Sequence, residues 1–315
     1  MDLLKIAENN TPKKPKKYSL IYKFLSLLSV VRGYNIAIIV LAQYLASIFI
    51  FSPEKSLRTV LLNLDLYFIV LATTCVIAAG YIINNFYDVD KDRINRPQKT
   101  KIDSIVSQKT KLNIYFFLNF LGFLFGFLVS WRAALFFGVY IFLIWFYSHK
   151  LKQYPLVKLF SAATLAILPF FAIFVYYHNF SQIIFTHASF LFFVLLIREL
   201  VKDLESVKGD IVSDYITIPI KYGEHFTKML ITLTTLFTWP PIYFLLRYPE
   251  IGLMKYYFYF AIGLLLVFLI LLWRSKTKKD YLILHTLLKI LIIAGVFSLS
   301  LIDTSVIIKK ILLHI

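Results

Sequence analysis

Nine long apolar segments set the limits on what this chain can fold into. They run roughly over Phe24–Phe51, Leu62–Phe86, Leu112–Ser130, Ala133–Ser148, Leu156–Tyr177, Ile183–Leu200, Phe226–Leu246, Ile251–Trp273 and Tyr281–Ile308. A helix that crosses the hydrocarbon core of a bilayer needs about 20 mostly apolar residues. The fourth segment is short and the second ends in polar residues, so eight crossings is the alternative count. No stretch shows the alternation of strands, and in lipid the backbone must satisfy its own hydrogen bonds, which leaves helices. The expected fold class is therefore an all-α integral membrane protein, a bundle of about nine transmembrane helices. The chain is 59% hydrophobic, against about 45–50% for a soluble domain, and lipid accounts for the excess.

The positive charge follows the same plan. The net charge of +17 would suggest nucleic acid in a soluble protein. Here the Lys and Arg residues fall between the apolar segments, so no nucleic-acid partner is expected. They read instead as topology signals and contacts to membrane lipids. With nine crossings, one side carries Lys13, Lys14, Lys16 and Lys17, then Lys91 to Lys101, Lys150 and Lys152, Lys202 and Lys208, and Arg274 to Lys279. The other side carries far fewer. The Lys/Arg-rich side is expected to face the cytoplasm, which places the protein as a multi-pass component of the cell (inner, cytoplasmic) membrane. Residues 1–20 read as a basic, disordered cytoplasmic arm. Residues 21–315 read as one transmembrane domain. Cys75 is the only cysteine, which excludes an intramolecular disulfide or a cysteine metal cluster.

Six of the fifteen acidic residues beyond the arm gather at two places on the predicted cytoplasmic side. The first is Asn84-Asn85-Phe86-Tyr87-Asp88-Val89-Asp90-Lys91-Asp92. The second is Asp203-Leu204-Glu205-Ser206-Val207-Lys208-Gly209-Asp210. If the helix continues, Asn84, Asp88 and Asp92 recur every four residues on one face, and Asp203 and Asp210 are seven apart on another. Two opposed carboxylate faces suit hard divalent cations. Magnesium in particular takes one or two carboxylates and completes its shell with waters and substrate phosphates. Arg96 and Lys99 follow the first cluster, Arg198 and Lys202 flank the second, and Lys150 and Lys152 occupy a loop between them in sequence; Arg and Lys suit phosphate oxygens. His149, His178 and His187 show no metal-ligand spacing and read as interfacial.

These residues resemble a family. Asn84-Asn85-x-x-Asp88-x-x-x-Asp92, with Ile94-Asn95-Arg96-Pro97 after it, is similar to the first motif of UbiA-type intramembrane prenyltransferases. Lys202-Asp203-Leu204-Glu205-x-x-x-Gly209-Asp210, then Thr217-Ile218-Pro219, is similar to their second. Tyr147-Ser148-x-x-Leu151-Lys152 and Arg32-Gly33-Tyr34-Asn35 resemble two further elements, in the family's order. The sequence departs from the usual pattern at Gly33, Asn85, Ser206 and Val207, and no Pro-Ser-Gly follows Arg96-Pro97.

The resemblance implies nine helices around a central cavity and a prenyltransferase using Mg²⁺. The metal would join Asn84, Asp88, Asp92, Asp203 and Asp210 to a prenyl diphosphate. Arg96, Tyr147, Ser148 and Lys152 would bind diphosphate oxygens, and Arg32 and Asn35 would face the acceptor. The implied acceptor is lipid-like or aromatic, with geranylgeranylglyceryl phosphate first, as in ether-lipid synthesis, and an aromatic quinone precursor next. Two other functions fit the same residues less well. A transporter for an anionic or phosphorylated solute would place its charges near the bilayer midplane, whereas these sit at helix ends. A UbiA-related terpene cyclase would share the metal chemistry without a second substrate.

Overall fold

The computed structural model describes residues 19–52, 55–177 and 181–302. Among them, nine helices are long and apolar enough to cross a membrane. The basic arm lies outside the described residues except for its last two, Ser19 and Leu20, and Leu20 already begins helix α1 (Leu20–Val30).

The first apolar segment, expected as one helix, is broken. After α1 the backbone turns at Arg32, whose φ of 52° is in the left-handed region. The crossing helix then runs through α2 (Gly33–Ala46) and a π turn over Ser47–Phe51. The break falls at the polar stretch Arg32-Gly33-Tyr34-Asn35, which the apolar runs on both sides mask.

The next crossing is α3 (Leu64–Tyr87), capped by Asn63, whose Oδ1 accepts from the Leu66 amide at 2.8 Å. Two short helices follow on the same side of the bundle, α4 (Val89–Asn95) and α5 (Pro97–Asp103). The helix thus does not continue through the first motif but restarts at Asp88. The four-residue register survives the restart, because the amides of Asp88, Asp92 and Arg96 bond to the carbonyls of Asn84, Asp88 and Asp92 at 3.0, 2.8 and 2.8 Å.

Helices α6 (Gln108–Val129) and α7 (Trp131–His149) form a hairpin, and Ser107 and Ser130 accept the first orphan amides at their N-termini. The fourth crossing is full length once the 3₁₀ turn at Leu151–Gln153 is included, which removes the eight-crossing alternative. A Cβ on Gly122 would come within 2.6 Å of Val76, so the bare glycine lets α6 press against α3. The other face of α6 presents Phe116, Phe120, Phe123 and Phe127, all exposed, as a surface for lipid tails.

Five further helices complete the bundle: α8 (Pro155–Tyr177), α9 (Gln182–Val212), α10 (Ile218–Leu236), α12 (Lys255–Arg274) and α13 (Lys278–Ser298), with the shorter α11 (Trp239–Arg247) extending α10. The last segment, expected to reach Ile308, is described only as far as Ile302. Helix α13 packs on both α9 and α2, and α2 packs on α3, so the helices close around a central space. Pro169 inside α8 cannot donate to the Leu165 carbonyl, and the Tyr140 hydroxyl donates there instead at 3.0 Å. The Gln43 amide donates to the Pro169 carbonyl at 2.9 Å. The Tyr140 bond satisfies a carbonyl that the proline leaves without its helical donor inside the bundle.

Candidate functional site

Helix α9 is 31 residues long, far more than a bilayer needs. The excess carries the second acidic motif past the apolar segment without a break. Along it Glu199, Lys202, Asp203, Ser206 and Asp210 follow the i, i+3, i+4 pattern of one face. Asp203 is 2% and Asp210 0% exposed. Charges buried like this need partners, and Lys158 of α8 donates to Asp203 Oδ1 at 2.5 Å. Ser206 Oγ donates to Asp210 Oδ2 at 2.5 Å, and Lys91 of α4 pairs with Asp210. Lys202 pairs with Glu199 at 2.9 Å.

The first motif stands against this face. Asn95 of α4 donates to the Ser206 carbonyl at 3.2 Å. A Cβ on Gly209 would lie 2.2 Å from Asn95 Nδ2 and 2.9 Å from the Lys91 carbonyl oxygen. Only glycine permits that approach, and the approach is what brings Lys91 onto Asp210. Lys152, in the turn after α7, donates to Asp88 Oδ1 at 2.6 Å. Tyr147 sits where Glu199, Asp88, Asp203 and Asp210 all act on its hydroxyl. The two acidic motifs therefore meet on one side of one chamber.

Their neighbourhood splits the two carboxyls of the first motif. Burial pushes the Asp88 carboxyl up, but the Lys152 and Lys91 ammoniums outweigh it and hold Asp88 below the usual carboxylate range. Burial and the Asp88 charge push Asp92 up, with Arg96 and Arg32 opposing. Tyr215, which hydrogen-bonds Asp88 in the turn after α9, has its phenol pushed up by burial and then by that carboxylate.

Beneath the aspartates lies a cavity of 430 Å³. Its mouth includes Arg32, Asn35, Asn84, Tyr147 and Ser148, and its deeper wall is aliphatic and aromatic, with Ile77, Tyr140, Ala166, Phe170 and Phe258. Asn35 donates to the Tyr81 hydroxyl at 3.1 Å, and the Arg32 guanidinium lies 5.2 Å from the centre of the same ring. Of the residues expected at the site, Asp88, Asp92, Arg96, Lys152, Asp203 and Asp210 are not part of this lining and stand around its entrance. Arg96 is held by Glu205 at 3.3 Å. His187, expected at an interface, lines the deep wall instead, while His149 bonds the Tyr87 hydroxyl at 3.1 Å. His178 lies outside the described residues.

The donor set suits a hard cation. Asn84 Oδ1 is buried without a hydrogen-bond partner beside Asp88, and Ser148 Oγ is likewise unpartnered at the cavity mouth. All the candidate donors are oxygens. Among the described residues no three carboxylate or imidazole groups close into a ready metal cage, and a lysine stands at each of Asp88, Asp203 and Asp210. That arrangement fits magnesium, which enters with phosphate ligands rather than into an all-protein cage. The lysine ammoniums stand where such phosphate oxygens would need counter-charge.

Lys158, Lys91, Glu199 and Tyr215 did not emerge from the motif reading. The signal for Lys158 was available, since an ionisable residue inside an apolar segment is costly and calls for a partner. Asn85, which departs from the usual Asp, turns away from the chamber. Its Nδ2 donates to Asp103 Oδ2 at 3.3 Å and its Oδ1 accepts from Lys111 at 3.0 Å. Lys99 and Ser29 also donate to Asp103, at 2.5 and 2.7 Å.

Residues 40–293 match the UbiA prenyltransferase family model. The chain belongs to the UbiA prenyltransferase family. Like other UbiA proteins it is a multi-pass membrane protein. A digeranylgeranylglyceryl phosphate synthase of Methanosphaera stadtmanae is 29% identical over 182 residues, which cover 55% of this chain. The match spans 64% of that protein, less than two thirds of its length. A solved structure concerned with digeranylgeranylglyceryl phosphate synthase in membranes superimposes with a TM-score of 0.63 at 19% identity, covering 88% of this chain and 97% of the other. A UbiA homolog from Archaeoglobus fulgidus bound to GPP and Mg²⁺ gives 0.63 at 16% identity, covering 87% and 99%. At these identities the two structures establish the fold of this UbiA chain.

Proposed function

We propose that this protein transfers a prenyl group from an allylic prenyl diphosphate to a lipid-like acceptor, with Mg²⁺, and releases diphosphate. The observation that carries the proposal is the meeting of two acidic motifs, each held by lysines, over the mouth of an apolar cavity. Diphosphate is the ligand that needs both metal-binding oxygens and cations, and a prenyl tail is the group that needs the cavity. Each buried CH₂ of such a tail contributes about 0.8 kcal/mol.

In this reading Asn84, Asp88, Asp92, Asp203 and Asp210 hold the metal with the diphosphate, directly or through water. Bound there, magnesium would supply charge neutralisation for the leaving diphosphate, lowering the barrier to breaking the allylic C–O bond. Lys152, Tyr147, Ser148 and Arg96 bind diphosphate oxygens, with Arg96 exchanging its present bond to Glu205. The dry walls keep water from the allylic cation. Arg32 and Asn35, fixed against Tyr81, orient the acceptor, whose nucleophilic atom bonds to the allylic carbon while its proton leaves with the released diphosphate. The preferred acceptor is geranylgeranylglyceryl phosphate, supported by relatives named as digeranylgeranylglyceryl phosphate synthases, with an aromatic quinone precursor second. The chamber faces the cytoplasm in this reading, supported by the Lys/Arg excess in the loops on its side of the bundle.

The test uses purified protein in detergent with radiolabelled geranylgeranyl diphosphate, each acceptor in turn, and Mg²⁺ or EDTA. Labelled digeranylgeranylglyceryl phosphate formed only with Mg²⁺ is the expected result. Labelled solute uptake by proteoliposomes with no coupled product would overturn the reading in favour of transport.

A further inference from the structure

The cavity wall below the aspartates holds two cations outside any described ion pair, although Arg198 acts electrostatically on its neighbour Glu199. Arg198 of α9 and Lys289 of α13 both line the cavity. Neither forms an ion pair among the described residues, and Arg198 Nε is buried with no hydrogen-bond partner. The nearby carboxylates are engaged elsewhere. Glu199 holds Lys202 at 2.9 Å, and Glu205 holds Arg96 at 3.3 Å and His285 Nδ1 at 2.9 Å.

The Glu205–His285 bond fixes the register between α9 and α13. Arg198 stands two turns before Glu205, about 10 Å along its helix, and Lys289 one turn after His285, about 6 Å. The sixth and ninth of nine crossings run in opposite directions, so both steps lead away from the acidic rim into the cavity. Both side chains also act electrostatically on the His285 ring, which places them along the same seam. Both side chains are half-buried, and leaving the buried Arg198 Nε without a partner is costly; an arriving anion removes that cost.

We propose that Arg198 and Lys289 form a metal-independent subsite for the phosphate monoester headgroup of the acceptor. This deepens the transferase reading above and rests on it. A phosphate monoester carries close to two negative charges, matching one guanidinium and one ammonium, and the planar guanidinium engages two phosphate oxygens at once. The donor diphosphate does not require these groups, because Lys91, Lys152 and Lys158 already stand at the aspartates. An aromatic carboxylate would satisfy only one of the two cations. The subsite thus selects a phosphorylated glycerol-type acceptor from other lipid-like ones.

Two measurements test this. In the first, the wild-type protein in EDTA, without donor, is titrated with geranylgeranylglyceryl phosphate and with geranylgeranylglycerol, which lacks the phosphate. The phosphorylated compound should bind about 10- to 100-fold more tightly, as expected for charge-assisted bonds. Equal binding, or binding that appears only with Mg²⁺, overturns the subsite. In the second, Lys289→Gln and Arg198→Gln should raise the acceptor KM by about 10- to 100-fold and leave the donor KM within about threefold, while Lys289→Arg keeps most of the affinity. A rise in donor KM instead assigns the pair to the diphosphate and overturns the proposal. Magnesium-dependent donor binding by each variant serves as the check on folding. If the wild type makes no product with any acceptor, the transferase reading fails, whereas the metal-free titration still decides the subsite.

Discussion

The two acidic motifs stand on very different supports. The second rides on α9, one unbroken helix, with Asp203 and Asp210 buried and Lys158 inserted from α8. The first sits on a helix that stops at Asp88 and restarts as the seven residues of α4, none of which is fully buried. Position on the first side is set by contact with the second, through Asn95 on the Ser206 carbonyl and Lys91 on Asp210. One face is therefore built into the bundle, and the other is docked onto it.

The sharpest way to break that docking is at Gly209. Gly209→Leu should push α4 off α9, part Lys91 from Asp210 and lower activity by about 100-fold or more, since a misplacement near 1 Å costs that much. Turnover measured beside the thermal midpoint in detergent checks this, because the apolar bundle itself should remain folded. Lys158→Met acts on the built-in face. It strands the Asp203 charge and should destabilise by about 3–5 kcal/mol, read as a lowered thermal midpoint. Asn85→Asp tests whether the departure from the family pattern matters. Because Asn85 faces Asp103 rather than the chamber, restoring the usual Asp should give no gain in turnover. It should destabilise by about 1–3 kcal/mol through the lost bond to Asp103. Arg93→Ala is the smallest change. Its pair with Asp90 is spread over 3.7 Å, with side chains 71% and 76% exposed. Loss of that pair should move stability by less than about 0.5 kcal/mol, and an unchanged midpoint would confirm that the outer face of α4 is idle.

The same contrast explains what could be read from the residues. The crossings were legible because apolar length is a local property, and Asp203 and Asp210 sat on one face because α9 keeps helical period. Asn84, Asp88 and Asp92 kept their register even though the helix restarted, since the backbone bonds span the break. The break at Arg32 was not read from the residues, because the long apolar runs on either side of Arg32-Gly33-Tyr34-Asn35 merge into one segment. Nor were the partners of the aspartates, since Lys158 and Asp203 are 45 residues apart and only folding makes them neighbours.

By itself, then, the sequence determined that this chain lives in a membrane as helices, where its polar end lies and which residue types gather there. Those properties come from hydrophobic length and helical period, which act within a single segment. Only the tertiary structure decided that Lys158, Lys152 and Lys91 guard the aspartates, that Asn85 turns away, and that Arg198 and Lys289 share a cavity wall. Each of those depends on how separate helices pack, and packing is settled by side-chain shape and buried charge across the whole bundle.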